Sequence, residues 1–212
     1  MFKNSQCPVV IGPNRIQAAK HLMENTDTNV ILSDDGLQHF SLGRDIEILM
    51  IDGNRKFGNE LLLPAGPLRE PKSRIKTVDF TISSNRKWPS VANYEMKYRP
   101  FKWVHMKSQK EYDIFDWPLK KEVNAVAGIG NPSNFFNLLK QLGFDISEYA
   151  FPDHHDFHSV DFEIMDNQPT VMTEKDAIKC SFLDHTNYWY LKIEAEVSDN
   201  FEQDFLAEIK SK

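Results

Sequence analysis

The chain has 212 residues, of which 41% are hydrophobic and 26% are charged, and its formal net charge is −6. This composition is typical of a globular protein and excludes a disordered, collagen-like or coiled-coil chain. The acidic balance disfavours general binding to nucleic acid, so we expect no nucleic-acid partner. The two cysteines are too few for a disulfide framework, and the apolar runs are too short for a transmembrane span.

The first half of the chain alternates strand and helix signals. Asn14 is followed by an apolar stripe with helical spacing that extends to about Glu24. Short apolar runs predict strands at Pro8–Ile11, Val30–Leu32, Ile46–Ile51 and Val78–Ile82. Continuous apolar runs separated by helices indicate an α/β fold with a largely parallel sheet and helices on both faces.

The second half departs from this pattern and then returns to it. Residues 86–120 alternate aromatic and polar side chains between prolines, which predicts a hairpin or meander in a small β insertion or linker. Further strands are predicted from residue 123 and at 149–151, 170–173 and 189–193, with helices at 132–142, 161–165, 175–180 and 201–209. We therefore divide the chain into parts 1–85, 86–120 and 121–212.

Two acidic residues follow the predicted strand at Val30–Leu32. The carboxyl end of a strand opens into the crevice of an α/β sheet, where kinases and nucleotide hydrolases bind Mg²⁺ through carboxylates. Asp34 and Asp35 are carboxylates in this position of the sequence. The plainer interpretation is an Asp-Asp-Gly turn. Gln38 and His39 follow this turn, and their nearness to Asp34 and Asp35 makes them further candidate site residues.

A long loop rich in glycine and proline contains Arg69 and Glu70 between Pro67 and Pro71. Because proline restricts the backbone, this arrangement suits the presentation of a cation to phosphate and of a carboxylate to a hydroxyl group. A surface ion pair in a stiff loop is the alternative.

The richest group of titratable residues is Asp153-His154-His155-Asp156-Phe157-His158. It fits three interpretations: a histidine base oriented by an aspartate, a metal site, or loop polarity without a catalytic role. Downstream, Thr173 and Asp176 have the spacing of a helix N-cap, and Gly128–Pro132 is typical of a strand-to-helix turn. None of the nine glycines is followed by lysine, so the chain contains no G-x-x-x-x-G-K-[ST] phosphate loop.

Several motifs occur in an order that resembles the tetraacyldisaccharide 4'-kinase family, the lipid A 4'-kinases of Gram-negative bacteria. They are SDDGLQH at 33–39, RDIEI at 44–48, FGN at 57–59, LLPAGPLREP at 62–71, AGIGNP at 127–132, FPDHHDF at 151–157 and MTEKDA at 172–177. The resemblance extends from about Pro8 to the C-terminal helix, and the two longest strings are its most specific part.

The resemblance implies a P-loop-kinase-like fold and transfer of the ATP γ-phosphate, with Mg²⁺, to the 4'-hydroxyl of a lipid A disaccharide precursor. It implies a peripheral location on the cytoplasmic side of the inner membrane. Asp34 and Asp35 would bind magnesium and the ATP phosphates. The resemblance further implies catalytic roles for Asp34, Asp35, Glu70 and His155, and substrate-binding roles for Gln38, His39, Arg69 and His154.

The chain departs from the family pattern in two respects. The family has a preceding part with the phosphate loop, a membrane-contacting helix and an acidic base, and we expect this chain to lack that part and to turn over negligibly alone. A separate N-terminal P-loop half is then an expected partner. The alternatives are a non-catalytic remnant or acceptor-binding half of a split kinase, and a metal hydrolase built on His154–His158. The second departure is Glu60, which stands where the family has a small residue.

Overall fold

The computed structural model describes residues 7–165, 167–183 and 187–212. Contacts divide the described chain into two units. The first contains the residues up to Lys97 together with Val197–Lys212, and the second contains Tyr98–Glu196.

The first unit is built on short parallel strands. Helix α1 (Arg15–Asn25) begins where the Asn14 side chain accepts a hydrogen bond from the Gln17 N–H at 3.1 Å, as the sequence predicts. Strands β1 (Ile48–Asp52) and β2 (Phe80–Ser84) pair in parallel, with Ile48 opposite Phe80. The start of β3 (Tyr94–His105) pairs in parallel with β2. A 3₁₀ helix at Lys72–Thr77 precedes β2.

The C-terminal helix α5 (Asp199–Ser211) also belongs to the first unit. Its Phe201 and Phe205 rings lie 5.6 and 5.9 Å from the ring of Phe80, and Phe201 lies 5.2 Å from Tyr94. Edge-to-face aromatic contacts of this kind stabilise packing beyond the burial of surface. They attach the helix to strands β2 and β3.

Two predicted strands are wrong. Pro8–Ile11 and Val30–Leu32 form no strand, and the side chains of Ile11 and Leu32 are 91% and 82% exposed. A strand is stable only when a neighbouring strand satisfies its backbone groups, and neither run pairs with another described segment. Asp34 and Asp35 therefore follow an unpaired extended segment and lie in a turn, rather than at the end of a sheet strand.

The second unit is an α/β arrangement in which β3 pairs antiparallel with β4 (Glu111–Asp113), confirming the predicted hairpin. From β3 the strand order continues through β8 (Tyr188–Val197), β7 (Thr170–Thr173), β5 (Glu122–Ala127) and β6 (Asp145–Ala150). The pairs β8–β7, β7–β5 and β5–β6 are all parallel. The predicted largely parallel sheet is therefore confirmed.

Helices cover both faces of the second unit's sheet. Because side chains alternate along a strand, Val171 of β7 faces the cluster that contains Phe136 and Leu139 of α2 (Pro132–Gln141). Its neighbour Met172 faces a second cluster, formed with α3 (Val160–Glu163) and α4 (Glu174–Lys179). Within the described residues, no helix combines the length and apolarity needed to cross a membrane.

Candidate functional site

A cavity of about 1400 Å³ opens in the first unit beside the Asp34–Asp35 turn. It is larger than a typical pocket for a small molecule. Its polar lining includes Asp34, Asp35, Gln38, Arg69 and Glu70, which the sequence analysis selected from two distant segments. The fold therefore brings five of the eight predicted site residues together.

Arg69 connects the two segments. Its guanidinium donates to the Asp35 carboxylate at 3.2 and 3.4 Å and to the Gln38 side-chain oxygen at 3.2 Å. Both partners of the ion pair are exposed, so the contact orients the carboxylate more than it stabilises the fold. Asp34 makes no hydrogen bond or ion pair within the described part of the chain, and its oxygens remain open to a ligand.

Glu70 is held from two sides. The Gln38 amide donates to one of its oxygens at 2.8 Å, and Arg74 Nε donates to the other at 3.1 Å. Arg74 also donates to Glu47 at 2.5 Å, and hydrogen bonding to Glu47 is the main cause that raises the pKa of Arg74. Because both oxygens of Glu70 are engaged, its carboxylate is fixed in one orientation.

Glu47 links Arg74 to the Asp-Asp-Gly turn through Arg44. It accepts from Arg44 Nε at 2.9 Å, and Arg44 Nη1 donates to the carbonyl oxygens of Gly36 and Leu37 at 3.1 and 2.9 Å. The side chains of Glu47, Arg44 and Arg74 are only 12%, 23% and 24% exposed. The ring of contacts therefore starts and ends on the same Asp-Asp-Gly turn and holds it against the 69–74 segment.

The donor set fits a magnesium ion. Asp34 and Asp35 are adjacent exposed carboxylates, and Mg²⁺ is bound in proteins by one or two carboxylates together with substrate phosphates and water. The described residues contain no group of three or more His, Cys, Asp or Glu arranged to hold a metal ion. The structure therefore gives the metal-hydrolase interpretation of residues 153–158 no support.

The second unit carries the histidine cluster. His155 Nε2 lies 3.0 Å from Asp161 Oδ2, and its ring stacks on Phe151 at a centroid distance of 4.7 Å. Phe157 contacts the same ring edge-on at 4.9 Å. His155 is therefore held in one position while its side chain remains 25% exposed, which suits a residue that accepts or supports a proton.

Asp161 is oriented by two donors. The His158 N–H donates to Asp161 Oδ2 at 2.8 Å, and this bond is the main cause that lowers the pKa of Asp161, with the His155 contact adding to it. In contrast, the His154 side chain is 76% exposed and lies 3.7 Å from Asp153. The structure thus gives His155 a fixed partner and leaves His154 at the surface.

Behind this cluster lies the buried carboxylate of Asp176. It accepts hydrogen bonds from the Gly128 N–H at 2.9 Å and from the Thr173 hydroxyl at 2.7 Å. Thr173 in turn caps α4 by accepting from the Asp176 N–H at 3.2 Å, which confirms the predicted N-cap. Asp176 joins the turn after β5 to the start of α4.

Comparison with known proteins identifies the family of this chain. The sequence model of the family described as "LpxK: Tetraacyldisaccharide-1-P 4'-kinase" matches residues 1–210. The chain belongs to this kinase family. Among its relatives, a tetraacyldisaccharide 4'-kinase of Legionella pneumophila (strain Corby) is 45% identical over 207 residues, which are 97% of this chain. One of Nitrosococcus oceani is 44% identical over 205 residues, 95% of this chain.

A solved structure agrees with the sequence relatives. The crystal structure of LpxK from Aquifex aeolicus in complex with ATP superposes with a TM-score of 0.71 at 26% identity, covering 91% of this chain and 61% of that one. The chain spans 62% of the Legionella relative and 59% of the Nitrosococcus relative. The predicted family and fold are confirmed, and the chain corresponds to about six tenths of the related kinases.

Sequence reasoning missed part of the network around the cavity. Glu47, Arg44 and Arg74 were not selected, although Arg44 and Glu47 lie within one of the family motifs. His39, which was selected, does not line the cavity; its N–H donates to the Gly36 carbonyl at 3.0 Å within the turn. Glu60 has a φ of +65°, which explains why a glycine suits this position, and its carboxylate pairs with Lys72 at 2.6 Å.

Replacing Glu47 with glutamine is expected to lower the free energy of unfolding by about 2 kcal/mol, because two arginines lose a shared charged acceptor. Urea titration of the variant measures this change. Glu148→Gln is the matched control, since the Lys140–Glu148 pair is 54% and 43% exposed, and we expect at most about 0.5 kcal/mol there. Equal effects of the two substitutions would contradict the structural role of Glu47.

Replacing Asp161 with asparagine is expected to make the free energy of unfolding fall less in acid. A carboxyl whose pKa is lower in the folded state contributes stability above its unfolded pKa of about 4, and this contribution is lost as the pH falls through the folded value. Urea midpoints at about pH 6 and about pH 3 measure the difference. The original chain should lose more stability between these pH values than the variant, and equal losses would contradict the assignment.

Proposed function

We propose that this chain supplies the magnesium and acceptor side of a tetraacyldisaccharide 4'-kinase, with ATP as phosphate donor and a lipid A disaccharide precursor as acceptor. The observation that carries the proposal is the polar network in which Arg69 joins Asp35 to Gln38, and Gln38 joins Glu70, at the cavity. These residues lie within a chain that matches the family over residues 1–210.

The acidic turn and the 69–70 segment have separate tasks in this proposal. Asp34 offers carboxylate oxygens that no described residue occupies, and Asp35 is oriented beside it by Arg69. Glu70 is held by Gln38 and Arg74, so it can accept a hydrogen bond from a sugar hydroxyl without reorganising. Gln38 and Arg69 are placed to donate to the acceptor or to its phosphate.

Magnesium and ATP, when bound, supply the positive charge and the phosphoryl group of the reaction. The carboxylates present fit the metal, whereas a backbone cradle for the ATP phosphates is not found in the sequence of these residues. We propose that polypeptide outside this chain, covalently continuous or separate, supplies that cradle.

His155 completes the proposed assignment in the second unit. Asp161 can accept a hydrogen bond from His155 Nε2, and a proton on Nδ1 as well would let the ring donate to, and so support, an acidic base that takes the proton of the acceptor hydroxyl. His154 is an exposed neighbour that can add a hydrogen bond to the acceptor. The acceptor-binding role of His39 stays a prediction, because His39 lies in the turn but does not line the cavity.

A peripheral position on the cytoplasmic side of the inner membrane accompanies the proposal, because the acceptor is a lipid. A chimera tests the function: the part of the Legionella relative that this chain does not cover is joined to these 212 residues. It is then expressed in a bacterium depleted of its own 4'-kinase. We expect the chimera to restore growth and the 212-residue chain alone to fail. A folded chimera that binds the acceptor but does not restore growth would favour the non-catalytic alternative.

A further inference from the structure

His155 is held through its backbone as well as through its ring. Its N–H donates to the Pro152 carbonyl at 3.1 Å, which forms a turn at residues 152–155 that we call the histidine turn. The His155 carbonyl accepts from Lys179 Nζ at 3.2 Å. Because Lys179 lies 24 positions further along the chain, this bond joins the histidine turn to the end of α4.

Lys179 also contacts one of the two aromatic rings that flank the imidazole. Its Nζ lies 5.7 Å from the centre of the Phe157 ring, which contacts the His155 ring edge-on. A cation over an aromatic face is attracted by the ring. The Lys179 side chain is only 25% exposed, so its ammonium is held between the His155 backbone and Phe157.

A buried carboxylate sets the position of this ammonium. The Asp176 side chain is 0% exposed, and its Oδ2 accepts from the Gly128 N–H and the Thr173 hydroxyl. Its Oδ1 accepts no hydrogen bond within the described part of the chain, and Lys179 Nζ lies 3.7 Å from it as an ion pair. A buried carboxylate requires a counter-charge, because the protein interior stabilises an isolated charge poorly. Asp176 therefore keeps the Lys179 ammonium beside the histidine turn.

Close packing limits the movement of these groups. A Cβ on Gly128 would lie 3.1 Å from Phe157 Cζ and 3.3 Å from Asp176 Oδ1. The turn after β5 thus packs directly against the ring and the carboxylate that Lys179 contacts. Small displacements in such a region are costly, so the contacts are suited to hold a side chain in one place.

We propose that Lys179 is a positioning residue for His155. Its ammonium is fixed by Asp176, binds the His155 carbonyl and packs on Phe157, and so keeps the imidazole within hydrogen-bond distance of Asp161. The inference rests on the proposed function in one respect: its consequence for phosphate transfer depends on the role proposed there for His155. Misplacement of a catalytic group by about 1 Å can lower a rate about 100-fold, so a residue that touches no substrate can control the rate.

The first test measures the two neutral tautomers of His155 by NMR of the ring nitrogens in the 212-residue chain. Because Nε2 lies 3.0 Å from Asp161 Oδ2, the form with the proton on Nε2 should dominate. Lys179→Met removes the charge and keeps an unbranched side chain, and the ratio of the Nε2–H form to the Nδ1–H form should fall at least about threefold. Lys179→Arg keeps a charged donor and should retain the ratio. The signals are assigned by their loss in His155→Gln.

A double variant separates positioning from charge balance, because Lys179→Met alone leaves the Asp176 carboxylate buried without its counter-charge. Lys179→Met/Asp176→Asn removes both charges and should remain folded by circular dichroism, while its tautomer ratio stays as low as that of Lys179→Met. Lys140→Met is the matched control. Lys140 also lies in the last turn of a helix and pairs with Glu148 at 2.7 Å, but its side chain is 54% exposed. Its substitution should leave the ratio unchanged.

An unchanged ratio in Lys179→Met would overturn the proposal. Recovery of the original ratio in the double variant would also overturn it, since Lys179 would then only balance the charge of Asp176. In the kinase chimera, Lys179→Met should lower kcat about tenfold while the KM values for ATP and acceptor stay within about twofold. A lowered ratio with unchanged kcat would support the positioning of His155 and contradict its proposed role in transfer, so the two failures are distinguishable.

Discussion

Replacing Asp34 with asparagine in the chimera is expected to lower kcat by about 100-fold or more, because a preorganised charge at the reacting phosphate is lost. The substitution removes a carboxylate that has no other described partner, so the fold should not change. Steady-state assays at increasing Mg²⁺ concentration measure the effect. The variant should also need more Mg²⁺ for half-maximal rate.

The control for this prediction is Asp27→Asn, an exposed aspartate seven positions before Asp34 in the sequence that does not line the cavity. Its kcat and its Mg²⁺ dependence should be unchanged. If Asp34→Asn retained a kcat within about twofold of the unsubstituted chimera, the metal role assigned to the turn would be wrong.

Replacing Asp176 with alanine is expected to lower the free energy of unfolding of the second unit by about 3 kcal/mol, because two buried donors lose their acceptor. Those donors are the Gly128 N–H and the Thr173 hydroxyl. Asp176→Asn keeps one acceptor oxygen and should cost about half as much. Urea unfolding followed by tryptophan fluorescence reports mainly on this unit, which contains three of the four tryptophans: Trp103, Trp117 and Trp189.

Asp156→Ala is the matched control, since Asp156 is an exposed aspartate of the same histidine cluster. Its effect should stay within about 0.5 kcal/mol. An Asp176→Ala variant as stable as the unsubstituted chain would show that the buried carboxylate does not join the turn after β5 to the start of α4.

Local sequence patterns predicted most of the second unit. Strands β5 and β7 are apolar runs bounded by turn residues, and the cap at Thr173 is a local signal, so short windows of sequence were sufficient there. Strand β6 begins four residues before the predicted 149–151, because its first half is polar. Val30–Leu32 has the same local pattern but forms no strand, because strand formation depends on a pairing partner that a local pattern does not report.

The sequence selected residues that line the cavity, but for one reason that the structure does not support. Asp34 and Asp35 were selected as carboxylates at the end of a predicted strand that does not form, and Arg69 and Glu70 as charged residues between prolines. Their catalytic and binding roles came from the family resemblance and stay predictions. Glu47 and Arg74 are 27 positions apart, and no spacing rule connects them. Similarly, Asp176 was predicted as part of a cap, but its bond to Gly128 joins residues 48 positions apart. Such pairings arise from the tertiary fold.

The most direct test of the account is transfer of labelled phosphate from ATP to a tetraacyldisaccharide acceptor by the purified chimera, compared with its two parts alone and mixed. We predict transfer at the 4'-position by the chimera and none by the 212-residue chain alone. Transfer by the 212-residue chain alone would show that it holds its own phosphate cradle. A folded chimera without transfer would contradict the assignment of this chain as the magnesium and acceptor side of the kinase.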